Sequence, residues 1–130
     1  MCARSLAPSL ARLCCLLCHQ PGNFLLVDDG RRLLLNDFDI SATAGDASND
    51  GFQSGTPRFQ SPYLADAHTY TRRDDFISLI FTVVELAQKS VMNTVNVDRD
   101  KKLRLLEDLQ AGRVLVTPRF QAAVAMWLSL

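Results

Sequence analysis

The sequence lacks a net charge, because 14 basic side chains balance 14 acidic ones over 130 residues. A neutral chain has no strong basic field to attract phosphates or anionic lipids, which argues against binding of nucleic acids or membrane surfaces by charge alone. Its apolar runs are also far shorter than the ~18 residues that a membrane-spanning helix needs. We therefore expect no nucleic-acid partner and no membrane span.

Cysteine is absent from all but the first 18 residues, which contain Cys2, Cys14, Cys15 and Cys18. Disulfides within so short a stretch would cross-link nothing in the main body. We therefore expect free thiols and an intracellular compartment, the cytoplasm or the nucleus. Residues 1–20 contain basic but no acidic side chains. Three interpretations stay open for them: a targeting peptide, a buried helix, or a mispredicted start that lies outside the recognisable domain.

Residues 15–19 match the Cys-x-x-Cys-His pattern of c-type haem attachment. In that reading the two thiols bond the haem vinyl groups and His19 ligates the iron. The same side chains and Cys14 could ligate zinc, although adjacent cysteines suit one tetrahedral site poorly. Short motifs arise by chance in a cysteine-rich stretch, and the rest of the chain needs no haem. We expect reduced thiols and neither cofactor.

A β-hairpin and a long polar loop are predicted in the first half of the chain. Residues 23–27 are typical of a strand, 28–30 (Asp-Asp-Gly) of a turn that tolerates positive φ, and 31–35 of a returning strand. Residues 41–56 are rich in Ser, Thr, Ala, Gly, Asn and Asp. A loop of that length inside a compact domain is often functional.

The strongest helix signal covers residues 74–89, which are apolar on nearly every face. That pattern is typical of a central, buried helix. Thr71 and Asp74 fit a capping box at its start.

Two further helices are predicted, over residues 99–111 and 120–130. Asp98 is a plausible N-cap of the former and Gly112 its C-terminal stop. Leucines 103, 106 and 109 share one side of this helix. Its basic cluster, which includes Lys102, is interpreted as a solvated face.

Asn23 and Asp37 flank the predicted hairpin. Antiparallel strands would bring these two residues to the same end of the hairpin. Amide and carboxylate oxygens are suitable ligands for a hard cation such as Mg²⁺. Protein kinases hold the metal of their nucleotide with such a pair.

On these residues the chain resembles a protein kinase, clearly over about residues 20–90. Four motifs follow the family's order. Residues 21–26 resemble the end of the catalytic loop, and residues 35–41 resemble the metal-binding Asp-Phe-Gly segment. Residues 55–63 resemble the stretch that closes the activation loop, and residues 72–79 resemble the start of the central helix. The Arg-Arg-Asp-Asp form of the last motif is similar to casein-kinase-one-like and fungal or oomycete-type kinases. The resemblance implies an α+β, mostly helical fold: a partial C-lobe with a small hairpin, an activation-type loop and a buried central helix.

The resemblance also implies roles for single residues. Asn23 and Asp37 match the ligands of the Mg²⁺ that accompanies ATP, and Phe38 matches an aromatic residue of the nucleotide pocket. Thr56 matches the residue that hydrogen-bonds the catalytic loop and positions the substrate hydroxyl. Asp75 matches a structural anchor for the backbone of that loop.

Several positions depart from the family pattern. Cys18 occupies the position of the catalytic Asp, so no catalytic residue is found, and Gln20 stands where the family has Lys. Asp39 replaces the Gly of the metal-binding segment. Tyr63 replaces a Glu that makes a buried ion pair, so that packing or a hydroxyl hydrogen bond has to replace the pair.

The resemblance assigns residues 21–112 to a kinase-like C-lobe fragment and residues 113–130 to an apolar tail with a possible helix. Nothing before Pro21 resembles the Gly-rich loop or the strand Lys of the N-lobe. We therefore expect a truncated or inactive form of a domain that transfers phosphate from ATP to Ser or Thr hydroxyls in proteins. The alternative is a non-catalytic, pseudokinase-like module that binds a protein partner.

Overall fold

The computed structural model describes residues 14–15, 20–36, 42–43, 56–65, 71–114 and 116–129. Within these residues the fold is α+β and mostly helical, as predicted. It contains four α-helices, which are α1 (Arg72–Ala87), α2 (Lys89–Val95), α3 (Arg99–Gln110) and α4 (Pro118–Leu128). Its strands are β1 (Cys14–Cys15), β2 (Phe24–Val27), β3 (Arg32–Leu35) and β4 (Ala42–Thr43). No helix in these ranges is long and apolar enough to cross a membrane.

The strands form two small antiparallel pairs, β1 with β4 and β2 with β3. The second pair is the predicted hairpin, in which Phe24 lies opposite Leu35. Its turn contains three residues with positive φ: Asp28 and Asp29 at 53° each, and Gly30 at 80°. Asp and Gly adopt this left-handed conformation at less cost than most residues, which explains why the chain reverses here.

Helix α1 lies at the centre of the helical part, as its apolar sequence predicts. It begins at Arg72 rather than at residue 74 and ends at Ala87, and α2 follows as a separate helix. The Thr71 amide donates to the Asp74 carboxylate at 3.0 Å, which satisfies the predicted capping box. The apolar side chains of α1 that are fully buried are Ile77, Ile80, Phe81 and Val84.

The other three helices complete the core around α1. Asp98 caps α3 by accepting from the Lys101 amide at 3.0 Å, and Gly112 follows the helix with φ of 70°. Both end signals were predicted from the sequence. Helix α4 contributes Val124 and Leu128 to the same core. The stretch predicted as an apolar tail therefore includes a packed helix.

We expect Ile80→Ala to lower the free energy of unfolding by about 2–5 kcal/mol, because it opens a cavity in the middle of the core. Urea unfolding followed by circular dichroism measures the change. Leu86→Ala is the matched control, since Leu86 is on the same helix and 72% exposed. It should change stability by about 0.5 kcal/mol or less. Similar losses in both variants would contradict a central position for α1.

Candidate functional site

The predicted metal site begins with Asn23, at the open end of the hairpin. Asn23 ends a 3-10 turn, Pro21–Asn23, and is only 8% exposed. Its carbonyl accepts from the Asn36 amide at 2.7 Å, so that pairing continues one residue beyond β2 and β3. The chain is therefore beside Asn23 when it reaches residue 36. Asp37 lies outside the described residues, and its place next to Asn23 stays a prediction.

The predicted Mg²⁺ site has few protein ligands. Across the described ranges, no three His, Cys, Asp or Glu side chains lie together as a metal-binding group. Mg²⁺ is usually held by one or two carboxylates together with substrate phosphates and waters, rather than by a cage of protein ligands. One carboxylate and the amide oxygen of Asn23 would fit that form of binding. Phe38 and Cys18, predicted for the nucleotide pocket and the base position, also lie outside the described residues.

Thr56 makes the contact that connects two distant motifs. Its hydroxyl donates to the side-chain oxygen of Gln20, although the two residues are 36 positions apart in the sequence. Gln20 directly precedes the turn that carries Asn23. The kinase resemblance implies a hydrogen bond between Thr56 and the catalytic loop, and this contact has that form. Positioning of a substrate hydroxyl by Thr56 stays a prediction.

Asp75 lies in the first turn of α1 and is half-buried. Helix α1 contacts the Pro21–Asn23 turn, which is part of the segment that Asp75 is predicted to anchor. The carboxylate also suits the positive end of the helix dipole, which accounts for an acid here without any further role. The anchoring role therefore stays a prediction.

Residues 56–65, which we call the 56–65 segment, are held against the helices by cationic side chains. Arg58 donates to the Glu85 carboxylate of α1 through Nε at 3.1 Å and Nη2 at 2.6 Å. It also donates to the side-chain oxygens of Asn93 (2.7 Å) and Asn96 (3.4 Å). The partly buried ion pair with Glu85 fixes the segment to α1, and the hydrogen bond to Asn93 fixes it to α2.

The buried position of Lys102 on α3 contradicts the predicted solvated face. Lys102 is 3% exposed instead of solvated, and its ammonium donates to the carbonyls of Pro57 (2.6 Å) and Gln60 (2.8 Å). Its place in the buried row with Leu105, Leu106 and Leu109 was the signal available, since positions i, i+3, i+4 and i+7 share a helix face. Of the predicted row, Leu106 and Leu109 are buried, whereas Leu103 is half-buried.

Tyr63, which stands where the resembled family has an ion-paired Glu, packs against a cation. The guanidinium of Arg73 lies 4.6 Å from the centroid of the Tyr63 ring. Such a cation–π contact is worth roughly 0.5–2 kcal/mol, depending on how far it is shielded from water. This contact has the form of one of the two replacements that the resemblance implies, and its relation to the family's ion pair stays a prediction.

Burial lowers the pKa of Lys102 from 10.5 to about 8, because the charged form loses its hydration. Above about pH 8 the folded protein then releases this proton, while the unfolded chain keeps it up to about 10.5. The unfolded state binds more protons in this window, so the contribution of Lys102 to the free energy of unfolding rises with pH.

We therefore expect the wild-type chain to gain stability relative to Lys102→Met as the pH rises from 8 to 10. Urea unfolding of both proteins at several pH values in chloride buffers measures this difference. The variant retains the length of the side chain and lacks the titrating group. Parallel stability curves for the two proteins would show that Lys102 titrates alike in the folded and unfolded states.

Comparison of the chain with protein-family models and with curated proteins gives no match. A function has to be argued from this chain's own motifs and contacts. Two observations bear on it most directly: the pairing of Asn36 with Asn23, and the hydrogen bond from Thr56 to Gln20.

Proposed function

We propose that residues 21–112 form part of the large lobe of a protein-kinase-like domain. In that family this lobe holds the metal and phosphates of ATP and presents a Ser or Thr hydroxyl for phosphorylation. The observation that carries the proposal is the hydrogen bond from Thr56 to Gln20. It joins the segment that resembles the catalytic loop to the one that resembles the end of the activation loop. If the motifs matched by chance, a hydrogen bond between these two segments would not be expected.

The hairpin and the central helix add support of a different kind. The resemblance requires a short hairpin between the first two motifs and a buried helix after the fourth. Strands β2 and β3 are paired between those motifs, and α1 begins at Arg72 and buries Ile77, Ile80, Phe81 and Val84 fully. Motif order, strand pairing and burial are consistent with one arrangement of the chain.

The proposed chemistry assigns separate tasks to the chain's own residues. Asn23 and Asp37 would hold Mg²⁺, which in phosphoryl transfer neutralises charge on the phosphate oxygens. Thr56, oriented by its bond to Gln20, would position the acceptor hydroxyl. The Arg58–Glu85 ion pair keeps the 56–65 segment in place. A fixed segment matters because much of the rate of such a transfer comes from positioning.

A second candidate is a kinase-like module that binds a protein partner without transferring phosphate. Cys18 stands at the base position, and a thiol differs from a carboxylate in pKa and in reach. No acidic residue precedes Asp28 in the sequence. The hairpin also exposes four leucines, Leu25, Leu26, Leu33 and Leu34, and exposed apolar groups often mark protein interfaces. Phosphate transfer from ATP to a peptide hydroxyl, if detected, would favour the first candidate.

The metal pair can be tested on the chain itself with Mn²⁺, which prefers the same oxygen ligands as Mg²⁺. We expect a small amount of Mn²⁺ to broaden the amide NMR signals of residues 23, 36 and 37 first. Asp37→Asn should abolish this local broadening, because a carboxylate is exchanged for a neutral amide of the same size.

Asp29→Asn is the matched control for this experiment. Asp29 is an exposed carboxylate at the other end of the hairpin, and Asn also tolerates its positive φ. The control should leave the broadening near Asn23 unchanged. Broadening that persists in Asp37→Asn, or that is centred on the turn, would contradict the proposed metal site.

A further inference from the structure

A cavity of about 150 Å³ lies between the 56–65 segment and the start of α3. Two of its lining side chains, Arg99 and Lys102, are cationic. Among the described residues that line it, none is acidic. Asn23 is not among the described residues that line this cavity. Its distinguishing property is therefore a pair of cationic side chains, of which Arg99 also donates through Nε to the Pro62 carbonyl at 3.1 Å.

The charge of Lys102 is only partly compensated. An ammonium group has three N–H donors, and two of them go to the carbonyls of Pro57 and Gln60. The Phe81 ring, whose centroid is 5.5 Å from Nζ, offers a weak electrostatic contact. Within the described part of the chain, no carboxylate forms an ion pair with Lys102. A buried charge without a counter-charge is unfavourable, and an anion in the cavity would relieve it.

Neighbouring groups favour an anion over a cation. Asp98 and Asp100 flank Arg99 in the sequence, but the Asp98 carboxylate caps α3 through the Lys101 amide, and Asp100 is exposed and does not line the cavity. Arg58 is not among the described residues that line the cavity, and its guanidinium forms an ion pair with Glu85. The Ser61 hydroxyl lines the cavity and is almost fully buried. It accepts from the Tyr63 amide, and a hydroxyl can donate as well as accept.

We propose that this cavity binds a phosphate-type oxyanion, held by Lys102, Arg99 and the Ser61 hydroxyl. The ligand is inorganic phosphate or the phosphoryl group of a phosphate monoester. The cavity is several times larger than the ~30 Å³ occupied by one water, which leaves room for a central atom with four oxygens. Arg and Lys are the side chains that proteins use most for phosphate. A bound phosphate would neutralise Lys102 and tie α3 more firmly to the 56–65 segment.

Phosphate binding can be measured by two-dimensional NMR on the whole chain at pH 7, with ionic strength held constant by sodium chloride. We expect saturable shifts of the amide signals of Ser61, Arg99 and Lys102 as inorganic phosphate is added. A parallel titration with phosphoserine distinguishes the sources. Equal affinity indicates the free anion as the ligand, whereas several-fold tighter binding of phosphoserine indicates a monoester.

Variants of α3 test the residues that hold the anion. Arg99→Gln should weaken phosphate affinity roughly tenfold or more, since it removes a charged hydrogen-bond donor. Arg104→Gln is the matched control, because Arg104 is exposed on the same helix and does not line this cavity. It should bind like the wild type. Lys102→Met should also lose binding. Both variants remove donors to carbonyls of the 56–65 segment, so the urea unfolding curve of each shows first that it is folded, and Arg99→Gln then decides the result.

Two outcomes would overturn the proposal. One is an Arg99→Gln variant that binds phosphate as tightly as the wild type. The other is a set of amide shifts that do not saturate, or that lie away from Ser61 and the first turns of α3. Either result would show that phosphate acts only as a general salt, which stabilises proteins without a specific site.

Discussion

Hydrogen bonds from cationic side chains to backbone carbonyls hold the 56–65 segment in place. The segment consists of two short 3-10 turns, Pro57–Phe59 and Pro62–Ala65, each of which begins with a proline that lacks an N–H. Its carbonyls cannot all be satisfied within such short turns, so they need donors from elsewhere. Lys102 and Arg99 of α3 supply these donors. The path of the segment across the helices therefore depends on α3.

The position of Thr56 follows from this anchoring. Because the segment is fixed on α1 by Arg58 and on α3 by Lys102, its first residue is directed towards Gln20 and the open end of the hairpin. A buried lysine is a costly way to fix a segment, since its charge is removed from water. The neutral amine has two N–H donors, which matches the two carbonyls it meets. The charged form at neutral pH has a third N–H donor and a positive charge, and both favour binding of an anion in the adjoining cavity.

Local signals in the sequence predicted most of the helical part. The Thr71–Asp74 capping box, the Asp98 N-cap and the turn at 28–30 depend on neighbouring residues, and the structure contains all three. The role of Lys102 depends on carbonyls more than 40 positions away, and a charged residue is normally assigned to the surface. The Asp37 and Phe38 assignments depend on the kinase resemblance alone. For Thr56, the hydrogen bond to Gln20 has the form that the resemblance implies, and local patterns could not reveal it, because the two residues are 36 positions apart.

The central claim is that Thr56 and Gln20 are bonded across the two motifs, and a double-mutant cycle tests it most directly. The free energies of unfolding of the wild type, Thr56→Val, Gln20→Ala and the double variant are measured in urea. The account predicts a coupling energy of about 0.5–1.5 kcal/mol, the usual net value of a hydrogen bond between side chains. Additive effects, with a coupling of about 0.3 kcal/mol or less, would contradict it.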